Sequence, residues 1–287
     1  MFKPNCVAGV IAPEILLKSD KVRKHMQGIL KENIFSYLKK SNAIYSLNSF
    51  SAGRFFIEST KPNEIIAVLS KCFGIHAMAL AQNFVCDKEK DIFDFIFKKG
   101  VEVSEKEISS SFAVRCKSYF GDVSASEVER ELGGKVLENN PKLKVNLSNP
   151  NKTLHCIVFK DKIYFYFNEE RAAGGMPVGS QGTAALICNK NKSDCKSIAF
   201  SILKQGCNLC VFNPSKVDLS NLEEWNVFRP LKECSLNVIQ KQLFEEKVKA
   251  VFSCANTLKE AESDSKLLKA KVFSPFICVK ISTPFSD

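Results

Sequence analysis

What most constrains this chain is a change of pattern at one glycine-rich stretch, Arg171-Ala172-Ala173-Gly174-Gly175-Met176-Pro177-Val178-Gly179-Ser180-Gln181-Gly182. Beyond it, apolar strands alternate with amphipathic helices. Thr183 to Cys188 reads as a strand and Ser193 to Gln205 as a helix, with Ile198, Ala199, Ile202 and Leu203 on one face and Gly206 as its stop. Leu209 to Phe212 reads as a strand, Leu231 to Glu246 as mostly helix, and Lys249 to Cys254 and Val272 to Val279 as strands. Strands separated by helices predict a parallel, doubly wound sheet in a small α/β domain. On spacing alone the glycine stretch is a linker, since glycine frees the backbone for turns and close approach.

Before the glycines the order is mixed. Cys6 to Ile11 is a strand and Lys21 to Lys40 a helix, with Val22, Met26, Ile29, Leu30, Ile34, Tyr37 and Leu38 at helical spacing and Ser19 or Asp20 as cap. Ala43 to Leu47 and Arg54 to Glu58 pair around Ser51-Ala52-Gly53. Strand, helix, strand, strand is half of a ferredoxin-like unit. A second α+β unit follows. It has helices at Glu64 to Cys72, at Lys90 to Lys99 and after the capping box Ser124-Ala125-Ser126-Glu127, and strands at 77–84, 111–115, 145–147, 153–159 and 163–167. The expected division is 1–61, 62–168, a linker at 169–182, and 183–287.

Composition narrows the function classes. A chain of 287 residues, 45% hydrophobic and 25% charged, is neither disordered nor coiled coil. No apolar run approaches a bilayer span and the N-terminus lacks a signal-peptide layout, so a cytoplasmic protein with no membrane partner is expected. The net charge of +10 points to an anionic partner, nucleic acid being the usual one. The excess is spread evenly, with 25 basic against 20 acidic residues in 1–170 and 16 against 11 in the rest. That suits a folded platform better than a basic arm. Twelve cysteines are scattered through apolar runs, as free buried thiols are.

Local chemistry is sparse. The loop after the first strand of the α/β domain, Asn189-Lys190-Asn191-Lys192-Ser193-Asp194, has no glycine, so it lacks the open backbone a phosphate cradle needs. Cys207 and Cys210 have metal-ligand spacing, but strand alternation turns them to opposite faces, and no metal site is expected. His25, His76 and His155 sit in no motif. The basic candidates for phosphate contact are Lys18, Lys21, Arg23, Arg54, Arg115, Lys117, Lys142 and Lys144.

Several segments, in order, resemble the THUMP-containing tRNA 4-thiouridine synthetases, also called tRNA sulfurtransferases. Glu14-Ile15-Leu16-Leu17-Lys18-Ser19 followed by Val22-Arg23 resembles their opening GEIxLKG/S…(V/N)R motif in its archaeal style. Lys71-Cys72-Phe73-Gly74-Ile75 is similar to their VFGI junction, and Phe112-Ala113-Val114-Arg115, Glu131-Leu132-Gly133 and 143–150 to the THUMP core. Gly174-Gly175-Met176-Pro177-Val178-Gly179-Ser180-Gln181-Gly182 resembles GGLPVGTxG, with Gly174, Gly175, Pro177 and Gly179 as its key positions. The resemblance covers residues from about 10 to 205.

The resemblance implies a ferredoxin-like domain and a THUMP domain that together bind tRNA, then a PP-loop ATPase domain that adenylates a uridine for sulfur transfer. The family's SGGxDS loop corresponds to Lys190-Asn191-Lys192-Ser193-Asp194-Cys195, where only Asp194 fits. The expected protein therefore binds tRNA without catalysis and without a cofactor. An active tRNA-modifying enzyme subunit and a second copy of the chain are further candidate partners. One alternative is an atypical tRNA thiolation enzyme in which Lys190, Lys192 and Asp194 handle ATP and magnesium. The other is a metal or redox protein using Cys207 and Cys210.

Overall fold

The computed structural model describes residues 2–51, 53–86, 91–188, 192–214, 216–226, 232–245, 247–255, 258–268 and 272–273. From the N-terminus run β1 (Cys6–Ile11), α1 (Pro13–Leu16), α2 (Asp20–Lys40), β2 (Ser46–Ser51), β3 (Arg54–Glu58), α3 (Pro62–Leu69) and β4 (Ile75–Val85). Then come α4 (Ile92–Ser104), β5 (Ser111–Ser118), α5 (Ala125–Asn139), β6 (Lys144–Val145), β7 (Lys152–Val158), β8 (Lys162–Tyr166) and β9 (Glu170–Arg171). The last part holds β10 (Thr183–Ile187), α6 (Lys192–Lys204), β11 (Asn208–Phe212) and a 3-10 turn at Ser220–Trp225. It ends with β12 (Lys232–Glu233), α7 (Leu236–Phe244), β13 (Val248–Ser253), α8 (Leu258–Leu268) and β14 (Val272–Phe273).

Most expected elements are present; the first hairpin strand lies at Ser46–Ser51 rather than Ala43 to Leu47, and three places in the C-terminal part differ. The helix expected over 231–246 is shortened to α7, because Lys232 and Glu233 pair with Cys210 and Val211 as β12. The polar segment that forms α8 carries too few apolar residues to declare a buried face in the sequence. The strand expected over 272–279 is described only at Val272–Phe273, and the remainder lies outside the described residues.

The chain forms two units. One comprises 1–10, 43–67 and 77–171, the other 11–42, 68–76 and 172–287. Strands from both sides of residue 61 share one nine-stranded sheet, in the order β2-β3-β1-β4-β8-β7-β5-β6 with β9 added to β4. The sheet is mixed. β4/β8 and β7/β8 are antiparallel, while β5 runs parallel to both β7 and β6.

Both faces of this sheet carry buried clusters, for different reasons. On one, α4 and α5 cover Phe112, Val114, Leu154, Cys156, Ile163 and Phe165. On the other, Phe56 of β3 stacks on Tyr164 of β8 with ring centroids 3.9 Å apart. Two strands, β1 and β4, lie between them, and the small side chains of Cys6, Ala8, Ala79 and Ala81 on those strands leave the rings room to meet. Fully burying a side chain of this size contributes about 1.5–3 kcal/mol.

The second sheet is parallel throughout, in the order β12-β11-β10-β13-β14. Its two faces alternate as a doubly wound sheet requires. Ala184, Leu186, Leu209 and Val211 face the cluster containing Ile198, Ala199 and Leu203 of α6, while Ala185, Ile187 and Cys210 pack with Ile239 of α7. The chain order reverses between β10 and β13, the position where such sheets open a crevice at their strand ends. Among the described residues, no helix is long and apolar enough to cross a membrane.

Candidate functional site

Two places concentrate chemistry, one in each unit. The first is the outer edge of β5. Alternation sends Val114 and Cys116 into the core and leaves Arg115 and Lys117 exposed. β6 pairs only with Ser111 and Phe112, so the rest of that edge is not covered by a strand. Side chains take over there. Glu129 Oε1 accepts from the Cys116 backbone N–H at 2.8 Å, and Arg115 donates from Nη2 to the Leu147 carbonyl at 2.7 Å.

Beside Arg115 lies a hollow of about 440 Å³, bounded by Arg130, Gly133, Gly134, Val145 and Leu147. The two glycines of α5 carry no side chains to fill it. Val145 and Leu147 are exposed, Leu147 by 62%, and both line the hollow. The preceding loop is held by Asn146, whose Oδ1 accepts from the N–H groups of Ser148 and Asn149 at 3.2 and 2.9 Å. Lys142 and Lys144 are exposed just before it. The arrangement combines apolar surface for a planar group with cations for phosphate.

The other expected cations are placed differently. Arg54 is not a surface cation: its side chain is 10% exposed and its Nη1 lies 3.2 Å from Glu169 Oε1. Lys18 and Lys21 are exposed at the entry to α2, and Arg23 is paired with Asp20. Arg130 and the Gly133–Gly134 hollow were missed by the sequence reading, because helical spacing alone does not reveal which face of α5 leaves space.

On the same face as Arg115, His155 stacks on Tyr166 with ring centroids 4.6 Å apart. Burial pushes its pKa down to about 4. The Tyr166 hydroxyl donates to Glu169 Oε1 at 2.9 Å. Burial raises Glu169, but that hydroxyl and the Arg54 guanidinium outweigh it and hold the carboxyl below its usual range.

The second place is the crevice at the ends of β10 and β13. Cys188 follows β10, Cys195 lies in the first turn of α6, and Cys254 follows β13. Their sulfurs all lie within 4.8 Å of one another, and all three residues are buried. Thiol hydrogen bonds from Cys195 and Cys254 draw Cys188 down to about 5, and the same contacts push Cys254 up. Lys190 lies outside the described residues. Lys192 and Asp194 belong to α6, and their side chains lie outside the description. Three thiols thus cluster at the strand ends where doubly wound sheets bind ligands, and the segment 189–194 between Cys188 and Cys195 contains no glycine.

Cys207 and Cys210 do not form a site together. Cys207 packs at the margin of the α6-side cluster, and Cys210 belongs to the opposite face near Cys234. Burial raises the pKa of both.

The glycine stretch is tied down rather than slack. Gly174 N donates to Ile75 O at 2.7 Å, Met176 N to Lys204 O at 2.9 Å, and Gly179 N to Gly206 O at 2.8 Å. Asn33 of α2 donates from Nδ2 to Val178 O at 3.1 Å.

The THUMP domain model matches residues 90–168, and the ThiI ferredoxin-like domain model matches residues 11–79. By these two domains the chain is a ThiI-like family member. A tRNA sulfurtransferase of Actinobacillus succinogenes is 31% identical over 70% of this chain and 42% of its own length. A probable tRNA sulfurtransferase of Methanosarcina mazei is 30% identical over 67% of this chain and 48% of its own. The chain thus spans about half the length of these relatives. Among solved structures, PH1313 from Pyrococcus horikoshii superposes with a TM-score of 0.78 at 21% identity, covering 96% of this chain and 95% of that one. A 4-thiouridine synthetase solved with RNA and ATP gives 0.70 at 19%, over 95% and 81%. These establish the family fold: ferredoxin-like and THUMP domains followed by an α/β domain.

Proposed function

We propose that this ThiI-like family member binds tRNA through the β5 edge and serves tRNA modification without itself activating ATP. The observation that carries the reading is the hollow beside Arg115, where exposed Val145 and Leu147 meet Arg115 and Arg130. Lys117, Lys142 and Lys144 extend the positive charge along the same unit. Backbone phosphates supply most of the affinity in such a complex, and unpaired bases stack on exposed apolar surface. The relatives named tRNA sulfurtransferase, and the RNA bound in the solved 4-thiouridine synthetase, support tRNA as the nucleic acid. The glycine-free segment 189–194 and the cysteine cluster at the strand ends support a role apart from adenylation, as an accessory protein that presents tRNA to a separate enzyme.

Binding of labelled tRNA at low salt, followed by fluorescence anisotropy, tests the reading. The wild-type chain binds, and Arg115→Glu with Lys117→Glu abolishes binding while leaving the circular dichroism spectrum unchanged. Undetectable wild-type binding, or binding indifferent to the charge reversals, overturns it. ATP–pyrophosphate exchange with tRNA present stays at background; exchange above background replaces the accessory role with the atypical enzyme.

A further inference from the structure

We propose that Cys188, Cys195 and Cys254 form a binding site for a single thiophilic divalent ion of the zinc class. Three separate segments of the chain converge there, and among the described residues they are the only group of three or more His, Cys, Asp or Glu side chains close enough to share an ion. The backbone holds two of the three in place. Cys188 N donates to Phe212 O at 2.9 Å, and Cys254 N to Ile187 O at 3.2 Å, so each cysteine is fastened to the neighbouring strand. Next to Cys254, the buried Ser253 hydroxyl bonds Asp264 and accepts from Ala255 N at 3.0 Å, which fixes the turn after β13.

Size selects the ion. Zinc–sulfur bonds of about 2.3 Å in a tetrahedral site set sulfurs roughly 3.8 Å apart. The three sulfurs already lie within 4.8 Å of one another, so an ion needs only a small contraction. An iron–sulfur cluster attaches its cysteines to different irons and needs them further apart. Thiolate ligands favour zinc over magnesium or calcium, which prefer oxygen. Cys195 adds the positive end of α6, a helix of 13 residues, to the stabilisation of thiolate charge. Binding releases the thiol protons to solvent. Three protein ligands leave the fourth position of a tetrahedral ion to water or an added ligand.

The site stands independently of the tRNA reading, and metal content tests it directly. The full chain, purified under reducing conditions, is loaded with zinc, desalted and assayed by elemental analysis. Cobalt loading in parallel reports thiolate coordination through its charge-transfer and tetrahedral ligand-field absorption. The expected result is about one zinc per chain, a thiolate cobalt spectrum in the wild type, and loss of both in Cys188→Ser and Cys254→Ser. Cys210→Ser retains both. Absence of the cobalt spectrum in the folded wild-type chain overturns the proposal without recourse to any variant. So does stoichiometric zinc that survives Cys188→Ser, or iron with acid-labile sulfide in place of zinc.

Discussion

The guanidinium of Arg54 lies 3.2 Å from the carboxylate of Glu169, and the same guanidinium sits 5.8 Å from the centre of the Tyr166 ring. β3 and the segment after β8 are thereby joined across the face of the large sheet that carries no helix-covered core. Removing one partner of a largely buried pair leaves the other desolvated and uncompensated. Arg54→Ala is therefore expected to destabilise the chain by about 3 kcal/mol, read as a lower urea midpoint. Glu169→Gln costs less, because the Tyr166 hydroxyl retains an acceptor.

Acid weakens the same network. Burial, helped by Arg54, Arg115 and Lys117 and opposed by Glu169, holds His155 near 4, whereas an unfolded histidine titrates at about 6.5. A depressed histidine pKa means that the unfolded chain takes up the proton first. Its contribution to stability is complete above about pH 6.5 and is lost as pH falls towards 4. The lowered Glu169 pKa works in the same direction, losing its contribution on further acidification through the carboxylate range. Urea midpoints measured from pH 7 to 4 should fall steadily, and His155→Phe should flatten the upper part of that fall. An unchanged slope in the variant would refute the assignment to His155.

Gly174 and Gly175 are neighbours with the same handedness and different surroundings. Both have positive φ, 64° and 72°. A Cβ at Gly174 meets nothing within 4 Å, while one at Gly175 lies 2.4 Å from the Lys204 carbonyl oxygen. Gly174→Ala should cost about 1 kcal/mol from backbone strain alone. Gly175→Ala adds a collision with backbone and should cost about 3 kcal/mol or more. Thermal melts of the two variants separate strain from contact, and equal losses would show that the contact relaxes freely.

Much of this was legible in the chain, for identifiable reasons. Helical spacing in 21–40 and 193–205 marked α2 and α6, and strand–helix alternation after Gly182 marked the parallel sheet. Arg54 misled because β3 is buried on both faces: Phe55 and Ile57 point one way, Arg54 and Phe56 the other, and a single strand does not announce a second cover. The three cysteines were invisible as a group. Cys188 and Cys195 stand seven positions apart and Cys254 far downstream, and only the adjacency of β10 and β13 brings them together. The hollow beside Arg115 depends likewise on β6 ending after two residues, a length no periodicity records.

Salt dependence distinguishes the cations that meet phosphate from those that hold the fold. Each phosphate contact displaces counterions and contributes a little under one unit to the slope of log affinity against log salt. Lys117→Ala and Lys144→Ala, both at exposed positions, should each reduce the magnitude of that slope by about 1 while leaving the melting temperature almost unchanged. Arg54→Ala should do the reverse, lowering stability without altering the slope, because its guanidinium is already committed to Glu169 and Tyr166. Titrations of one tRNA at four or five salt concentrations supply the slopes. If Arg54→Ala changed the slope and Lys117→Ala did not, phosphate would be entering through the aromatic face of the sheet, and the β5 edge would lose its claim to be the binding surface.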